Sequence, residues 1–257
     1  MKPLAKGVAI NVGVNKNPEW GDFRGPIFSN GSFEFIHIPW KPKYGMIEPE
    51  PEKYEKMPYN PYVPERLKDK YVLVSPDFHN CTYASTIKDG RPAPANKPIF
   101  SLKQGDYLLF YATLDFRDDE RKRLDWINPR WGAYIVGLFK IDFICKSLRH
   151  ALDDAVAFEA FKEYAWFKSQ IEVGDLDAIV PWIKGIKGES GLLEKAIPLS
   201  SPDDPERWSC LACELFRTAS GKRLNPNRKA VFRPVRICEG ECLDKLLAKC
   251  ILRKINK

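Results

Sequence analysis

Three residues near the amino end, Trp20, Asp22 and Arg24, bring together an aromatic ring, a carboxylate and a guanidinium. A pocket for an unstacked nucleic-acid base uses such groups, because a ring covers the face of the base and polar groups pair with its edge. Arg24 could also take a phosphate through two hydrogen bonds. The structural alternative is an internal pair of Asp22 and Arg24 beneath the indole, with no ligand.

The segment that carries these residues is predicted to be a loop between two strands. Two glycines and a proline interrupt residues 20–26, which excludes regular structure there. Residues 7–14 alternate apolar with small or polar positions and are predicted as a strand, with Asn11 on its other face or near its end. Residues 29–32 are typical of a tight turn, and residues 33–38 are predicted as the returning strand.

A second loop rich in hydrogen-bonding side chains follows a short apolar strand predicted at residues 71–74. This loop, residues 76–83, contains His79 and Tyr83. Loops after buried strands often present functional groups, so both side chains are candidates for lining the site. Polar loop residues also cap turns, which is the structural alternative for His79.

A third group of candidates follows residues 107–112, an apolar stretch predicted as a strand buried on both faces. Asp115 and Arg117 leave this strand and could complete the site of Arg24. Basic side chains farther along are expected to follow backbone phosphates, although an ordinary solvated loop is the alternative; they are Arg121, Lys122, Arg123 and Arg130.

The cysteine spacing suggests zinc as a further hypothesis. Cys210-x-x-Cys213 and Cys238-x-x-x-Cys242 approach the pattern of a four-thiolate site. Residues 208–217 are predicted as a strand, however, and residues three apart on a strand point to opposite faces. Free thiols or disulfides are therefore favoured, with a zinc half-site at the glycine turn of Cys238 and Cys242 left open. Three histidines are too few for a His-rich metal centre, and neither a metal nor a cofactor is predicted.

The rest of the chain is predicted to form the scaffold. Residues 132–144 are expected to be a long strand with a bulge at Gly137. The apolar spacing of residues 147–168 predicts one long helix. Later elements are two strands and an amphipathic carboxyl-terminal helix, at residues 208–217, 228–238 and 243–257.

Composition restricts the class of protein. The 257 residues are 44% apolar and 12% aromatic, which excludes a disordered chain. A net charge of +7 favours polyanionic partners, and a charged surface of the thermophile or archaeal type explains it equally well. No apolar run reaches the ~18 residues of a membrane span, so a cytoplasmic protein without membrane contact is predicted.

Two family resemblances add to these inferences. The runs NVGVN, WGDFRGPIF and NGSFEFIHIP resemble the amino-terminal pattern of the third nucleotide modification associated domain family. The resemblance is detailed over residues 8–39 and weaker over 72–86 and 99–143, and it implies a link to nucleic-acid base modification or its recognition. A turn of the form K-x-G-D leads into LLFY, and a charged loop then precedes GAYIVGLFKI. This arrangement is similar to the central hairpin of PUA-like barrels, including EVE and ASCH domains, and the resemblance implies a tendency to bind nucleic acid.

The fold expected from these observations is α+β and forms a single domain over residues 1–257. Its main sheet, in residues 1–146, is expected to be a mostly antiparallel, partly closed PUA-like β-barrel. Residues 147–257 are expected to add the long helix, the late strands and the carboxyl-terminal helix.

Three functions are compatible with the sequence. The first is recognition of an unstacked or modified base of nucleic acid, more specifically DNA, by Asn11, Trp20, Arg24 and Tyr83. The second is an enzyme acting on nucleotides or DNA bases, with Asp22 or Asp115 as acid or base and His79 assisting. The third is an interaction protein that uses the segment rich in proline and tyrosine at residues 39–64.

Overall fold

The computed structural model of the chain describes residues 5–14, 23–40, 51–84, 87–88, 91–92, 94–117, 131–173, 180–201, 204, 206–217, 222–224 and 235–254. The strands of these residues, in chain order, are β1 (Lys6–Asn11), β2 (Gly25–Phe28), β3 (Ile38–Trp40), β4 (Tyr71–Leu73), β5 (Thr82–Ala84), β6 (Ile87–Lys88), β7 (Arg91–Pro92), β8 (Tyr107–Arg117), β9 (Trp131–Cys145), β10 (Trp182–Gly185), β11 (Gly191–Pro198) and β12 (Val235–Glu239). The α-helices are α1 (Leu148–Asp153), α2 (Ala155–Phe161), α3 (Ala165–Val173), α4 (Cys210–Leu215) and α5 (Glu241–Leu247). Short 3-10 helices occupy Tyr54–Lys56, Asn60–Tyr62, Glu65–Leu67 and Pro94–Ser101.

The main sheet has the strand order β12-β1-β8-β9-β10-β5, with β2 also beside β8 and β11 also beside β9. Among the described strands of this sheet, only β1 and β2 run parallel to their neighbour β8, and the other pairings are antiparallel. The expectation of an α+β protein with a mostly antiparallel sheet is therefore confirmed.

The described sheet is open, so the expected partly closed PUA-like barrel is not found. Its path ends at β12 on one side and at β5 on the other, and no pairing of the described strands joins these two ends. The physical reason lies in β9, which pairs with β8 along its first part and with β10 at Ile141–Cys145. The sheet therefore continues outward along this long strand and does not return to β1.

Strand β8 is the centre of the molecule. Its residues from Leu108 to Asp115 are all buried, as the unbroken apolar run predicted. The register between β8 and β9 shifts after the pair Phe110 and Gly137, which confirms a bulge at this glycine. The ring of Phe78 lies where a side chain at position 137 would be, and it contacts the rings of Phe110 and Phe139.

The strand predicted at residues 33–38 was wrong. Gly25–Phe28, part of which was expected to be loop, instead forms β2 along β8, and the returning segment has only an isolated bridge between Ile27 and Phe33 before β3 begins at Ile38. Phe35 and Ile36 are adjacent and both buried, because they pack into two different apolar clusters. A ladder strand with one buried face cannot bury two consecutive side chains in this way.

The single helix predicted at residues 147–168 is divided into α1, α2 and α3. Asp154 interrupts it, because its backbone is extended, with φ −97° and ψ 112°. Its carboxylate accepts hydrogen bonds from the amides of Val156 and Ala157, at 2.9 and 3.0 Å, and so caps the start of α2. Of the apolar positions that suggested one helix, Leu148, Phe161 and Tyr164 pack in a common cluster with Trp182, whereas Val156 and Phe158 are exposed.

The carboxyl-terminal elements also differ from the predictions. Residues 208–217 were predicted as a strand but contain helix α4, whose N-cap Ser209 accepts a hydrogen bond from the amide of Ala212 at 3.1 Å. The last helix, predicted over residues 243–257, is shorter: α5 ends at Leu247, after which Leu252 forms a bridge with Leu193. Of the late strand predicted at residues 228–238, the structure describes only residues 235–238, which belong to β12. No helix in the described part of the chain has the length and apolarity needed to cross a membrane.

Candidate functional site

Three buried charged side chains, Arg24, Asp115 and Arg117, meet the half-buried Trp131 at the end of β8, and we call these four residues the arginine cluster. Nη1 of Arg24 donates a hydrogen bond to Oδ1 of Asp115 at 3.4 Å, and Nη2 of Arg117 lies 4.0 Å from Oδ2 of the same carboxylate. The three charged side chains are 4–9% exposed. The guanidinium carbon of Arg24 lies 4.5 Å from the centre of a Trp131 ring, a cation–π contact.

Strand pairing explains why these residues meet. Alternation along β8 gives Asp115 and Arg117 the same face. Asp115 is paired with Trp131, the first residue of β9, in the strand on one side of β8. In the strand on the other side, β2, it is paired with Pro26. Arg24 lies two residues before Pro26, so three strands that are distant in sequence deliver the cluster to one place.

Two neutral polar residues extend this face of β8. Thr113 lies two residues before Asp115, and Asn11 of β1 is paired with Tyr111 of β8. Among the described residues, neither Nδ2 of Asn11 nor Oγ1 of Thr113 has a hydrogen-bond partner, although both atoms are buried. A buried polar atom without a partner is costly, and in a native structure it often marks a place where water or a ligand binds.

The two parallel strands follow the same edge of β8, one after the other. Strand β1 pairs with Tyr107 to Tyr111, and β2 pairs with Leu114 to Arg117. The chain therefore departs from this edge after β1 and returns to it at Arg24 and Gly25. The charged segment 118–130 also begins after one member of the cluster, Arg117, and ends before another, Trp131.

Six of the predicted site residues belong to these two segments and lie outside the described residues: Trp20, Asp22, Arg121, Lys122, Arg123 and Arg130. The structure brings together Arg24 and Asp115, with Asn11 on the same face of the sheet. Trp131 was not among the predicted site residues. The only available signal was a tryptophan at the start of a long strand, and its position opposite Asp115 depends on the β8–β9 register.

The structure does not bring His79 and Tyr83 to the arginine cluster. Tyr83 is in β5, which β9 and β10 separate from β8, and its ring contacts Phe110 at a centroid distance of 5.6 Å. Phe110 and Asp115 point to opposite faces of β8 by alternation. His79 is exposed in a turn that the side chain of Asp77 caps, since Oδ1 of Asp77 accepts a hydrogen bond from the His79 amide at 3.0 Å.

Cys210 and Cys213 do not lie on a strand, so the prediction that they point to opposite faces was wrong. These residues lie on helix α4, where residues three apart share a face, and both line a cavity together with Cys242. Even so, no group of three or more His, Cys, Asp and Glu side chains in the described chain is arranged to hold a metal. The side chain of Cys238 lies outside the described residues. Burial raises the pKa of the Cys213 thiol, which favours its protonated form.

Comparison with known proteins gives one family. The model of nucleotide modification associated domain 3 matches residues 6–233, a span that includes every residue of the arginine cluster. No curated protein and no solved structure matches the chain.

Proposed function

The chain belongs to the nucleotide modification associated domain 3 family, and from this premise we propose that it recognises an unstacked or modified base of nucleic acid, more specifically DNA, at the arginine cluster. Family membership indicates a role linked to nucleic-acid base modification. The observation that carries the proposal is that three buried charged side chains, Arg24, Asp115 and Arg117, converge with the half-buried Trp131 beside Asn11 and Thr113.

The chemistry of this group suits a flipped base. An unstacked base needs an aromatic surface for its face and fixed donors and acceptors for its edge. The amide of Asn11 and the hydroxyl of Thr113 supply polar atoms that have no partner among the described residues. Trp20 would cover the base, because it lies only four residues before Arg24 in the sequence.

Preorganisation supports recognition at this site. Arg24 is held between the carboxylate of Asp115 and the ring of Trp131, so its guanidinium has a fixed orientation before a ligand arrives. Fixed groups lose little conformational entropy on binding. The basic residues Arg121, Lys122, Arg123 and Arg130 would contact the phosphates on either side of the base.

Fluorescence anisotropy with labelled single- and double-stranded DNA and RNA, with and without modified bases, tests the proposal. We expect binding at low salt that weakens at high salt, and tighter binding to oligonucleotides that contain an unpaired base. The variant Arg24→Lys keeps the charge but lacks the planar fork, and we expect it to lose roughly tenfold in affinity. Arg207→Lys, an exposed arginine paired with Asp204, is the matched control. Absence of binding at low salt to every oligonucleotide would refute the proposal.

The alternative is an enzyme in which Asp22 or Asp115 acts as acid or base and His79 assists. The described geometry favours recognition, because His79 belongs to a turn on a different part of the sheet from Asp115. Incubation with nucleotides and modified DNA, followed by mass spectrometry, separates the two functions. A new product that disappears in the Asp115→Asn variant would favour the enzyme.

A further inference from the structure

A cavity of about 940 Å³ lies between helices α4 and α5, and we call it the helix cavity. Its α4 wall contains Cys210 and Cys213, which share one face of the helix because they are three residues apart, and Arg217, which lies two residues beyond the helix end at Leu215. Its α5 wall contains Cys242 and Lys245, which are three residues apart on the helix, and Lys249, which lies two residues beyond the helix end at Leu247. Cavities of about 300–1,000 Å³ are typical of small-molecule sites.

The surface of the helix cavity is apolar in its interior and cationic around it. Leu215 and Leu224 are buried lining residues and supply an apolar floor. Four cationic side chains, Arg217, Arg223, Lys245 and Lys249, line the cavity together with a single carboxylate, Glu214. None of the ion pairs found among the described residues includes Arg223, Lys245 or Lys249, so these charges are available to a ligand.

One of these cations is held rigidly in the wall. Nη1 of Arg217 donates to the carbonyl oxygens of Cys213, Glu214 and Phe216, at 3.3, 2.9 and 2.8 Å. These contacts cap the carboxyl end of α4, where a positive charge is favourable, and fix the guanidinium beside the cavity. A fixed guanidinium near two flexible lysines is a common arrangement for binding a phosphate group.

From this geometry we propose that the helix cavity binds a small phosphate monoester with an apolar or planar body, of the nucleoside monophosphate type. The phosphate lies among Arg217, Lys245 and Lys249, and the body packs on Leu215 and Leu224. This site is separate from the arginine cluster in its residues, since the two sets share none. The proposal therefore does not rest on base recognition, and variants of one site test that site without changing the other.

Isothermal titration calorimetry at low ionic strength with deoxyadenosine monophosphate, deoxyadenosine and inorganic phosphate tests the two parts of the site. We expect the nucleotide to bind more tightly than either fragment, because only the nucleotide uses both the cations and the apolar floor. Equal affinity for inorganic phosphate and the nucleotide would overturn the assignment of an apolar subsite. No binding of the nucleotide would overturn the proposal.

The double variant Lys245→Gln/Lys249→Gln tests the role of the cations. We expect it to bind the nucleotide roughly tenfold more weakly, the effect of removing a charge-assisted hydrogen bond to phosphate. The control Lys56→Gln/Lys103→Gln changes the net charge equally at exposed lysines that do not line the cavity. An equal decrease of affinity in both double variants would show general charge attraction and would overturn the site.

Cysteine reactivity gives a second measurement that does not depend on calorimetry. Cys210 is exposed and lines the helix cavity, so a bound nucleotide should shield it from N-ethylmaleimide. We expect saturating deoxyadenosine monophosphate to slow its modification several-fold, as measured by mass spectrometry, and deoxyadenosine at the same concentration to leave it unchanged. Unchanged modification in the presence of bound nucleotide would place the ligand elsewhere and overturn the proposal.

Discussion

At the scale of single residues, Asp115 is the centre of the arginine cluster. Its carboxylate contacts the guanidiniums of Arg24 and Arg117 in a part of the protein that is shielded from water. Charges in such surroundings are tolerated because they are paired, and removal of one partner leaves the other charge without full compensation. We therefore expect that removing a single charge from the cluster destabilises the folded protein more than removing all of its charges together.

We expect Arg24→Met to lower the free energy of unfolding by about 3 kcal/mol, since the variant breaks a buried ion pair. The triple variant Arg24→Met/Asp115→Leu/Arg117→Met should recover most of this loss, because it removes all three charges that meet at Asp115. Urea unfolding followed by circular dichroism measures both. A triple variant that is less stable than Arg24→Met alone would contradict the role of paired charges in the cluster.

His37 supplies the clearest pH dependence. Burial lowers the pKa of its imidazole to about 4, and the ring is held by Tyr59 Oη at Nδ1 and by the Pro76 carbonyl at Nε2, at 3.0 and 3.2 Å. In the unfolded chain the same group titrates near its ordinary pKa of 6.5. Between these values the unfolded state binds the additional proton, so acidification destabilises the folded protein in this window.

We therefore expect the free energy of unfolding to fall by up to about 2 kcal/mol between pH 7 and pH 5 through His37. The variant His37→Gln should remove most of this pH dependence, whereas the exposed control His79→Gln should retain it. Urea titrations at the two pH values measure the difference. An identical pH dependence in the His37→Gln variant and the wild-type protein would show that other groups are responsible.

At the scale of elements, one capping residue decides how a helical segment is divided. The carboxylate of Asp154 competes with helix continuation, because it offers its oxygen to the amides of Val156 and Ala157. Helix α1 ends before this residue and α2 starts after it, and both pack against the same apolar cluster.

Replacing Asp154 with Ala should lower the free energy of unfolding by about 1 kcal/mol, the usual cost of losing an N-cap. The neighbouring Asp153→Ala is a matched control, because it removes an exposed carboxylate at the end of α1. Thermal and urea unfolding compare the two. An Asp154→Ala protein that is more stable than the control would mean that α1 and α2 merge without penalty.

The bulge in β9 requires a glycine at position 137 because a side chain would have no room there. Its backbone does not adopt a positive φ that would favour glycine. A methyl group at position 137 would collide with the ring of Phe78, which is itself surrounded by Phe35, Phe110 and Phe139. We expect Gly137→Ala to lower the free energy of unfolding by about 1–3 kcal/mol. In the double variant with Phe78→Leu, the cost should be less than the sum of the two single costs, and strict additivity would exclude this contact as the cause.

At the scale of the whole molecule, the relevant property is a positive net charge of +7. It favours association with any polyanion. Segment 118–130, next to the arginine cluster in sequence, has four basic residues, but its acidic residues Asp118, Asp119, Glu120 and Asp125 balance their charge. A solvated charged loop has the same composition. Salt dependence separates the two interpretations, because only residues that displace counterions from phosphates contribute to it.

Replacement of Arg121, Lys122, Arg123 and Arg130 by Gln should weaken DNA binding and reduce the slope of log affinity against log salt. The reduction should approach about 0.9 for each phosphate that the variant no longer neutralises on duplex DNA, or about 0.7 on a single strand. Fluorescence anisotropy at several salt concentrations gives the slope. The control Lys56→Gln/Lys103→Gln should leave it nearly unchanged, and an unchanged slope in the fourfold variant would identify an ordinary solvated loop.

The sequence by itself determined the family, the buried strand β8, the bulge at Gly137 and the candidates Arg24 and Asp115. These features are local: an unbroken apolar run, a glycine in a strand and charged residues at strand ends are each visible within a few residues. Local patterns are ambiguous in short segments. Residues 208–217 were predicted as a strand, and the residues around Asp154 as the interior of a helix.

Only the tertiary structure decided which charges meet. Arg24 contacts Asp115 across 91 positions of sequence, and Trp131 joins them because β8 and β9 pair in one particular register across a long connection. The helix cavity likewise requires α4 and α5 to lie side by side. Register and packing of distant segments are fixed by the burial of many side chains at once, and no single stretch of sequence contains that information.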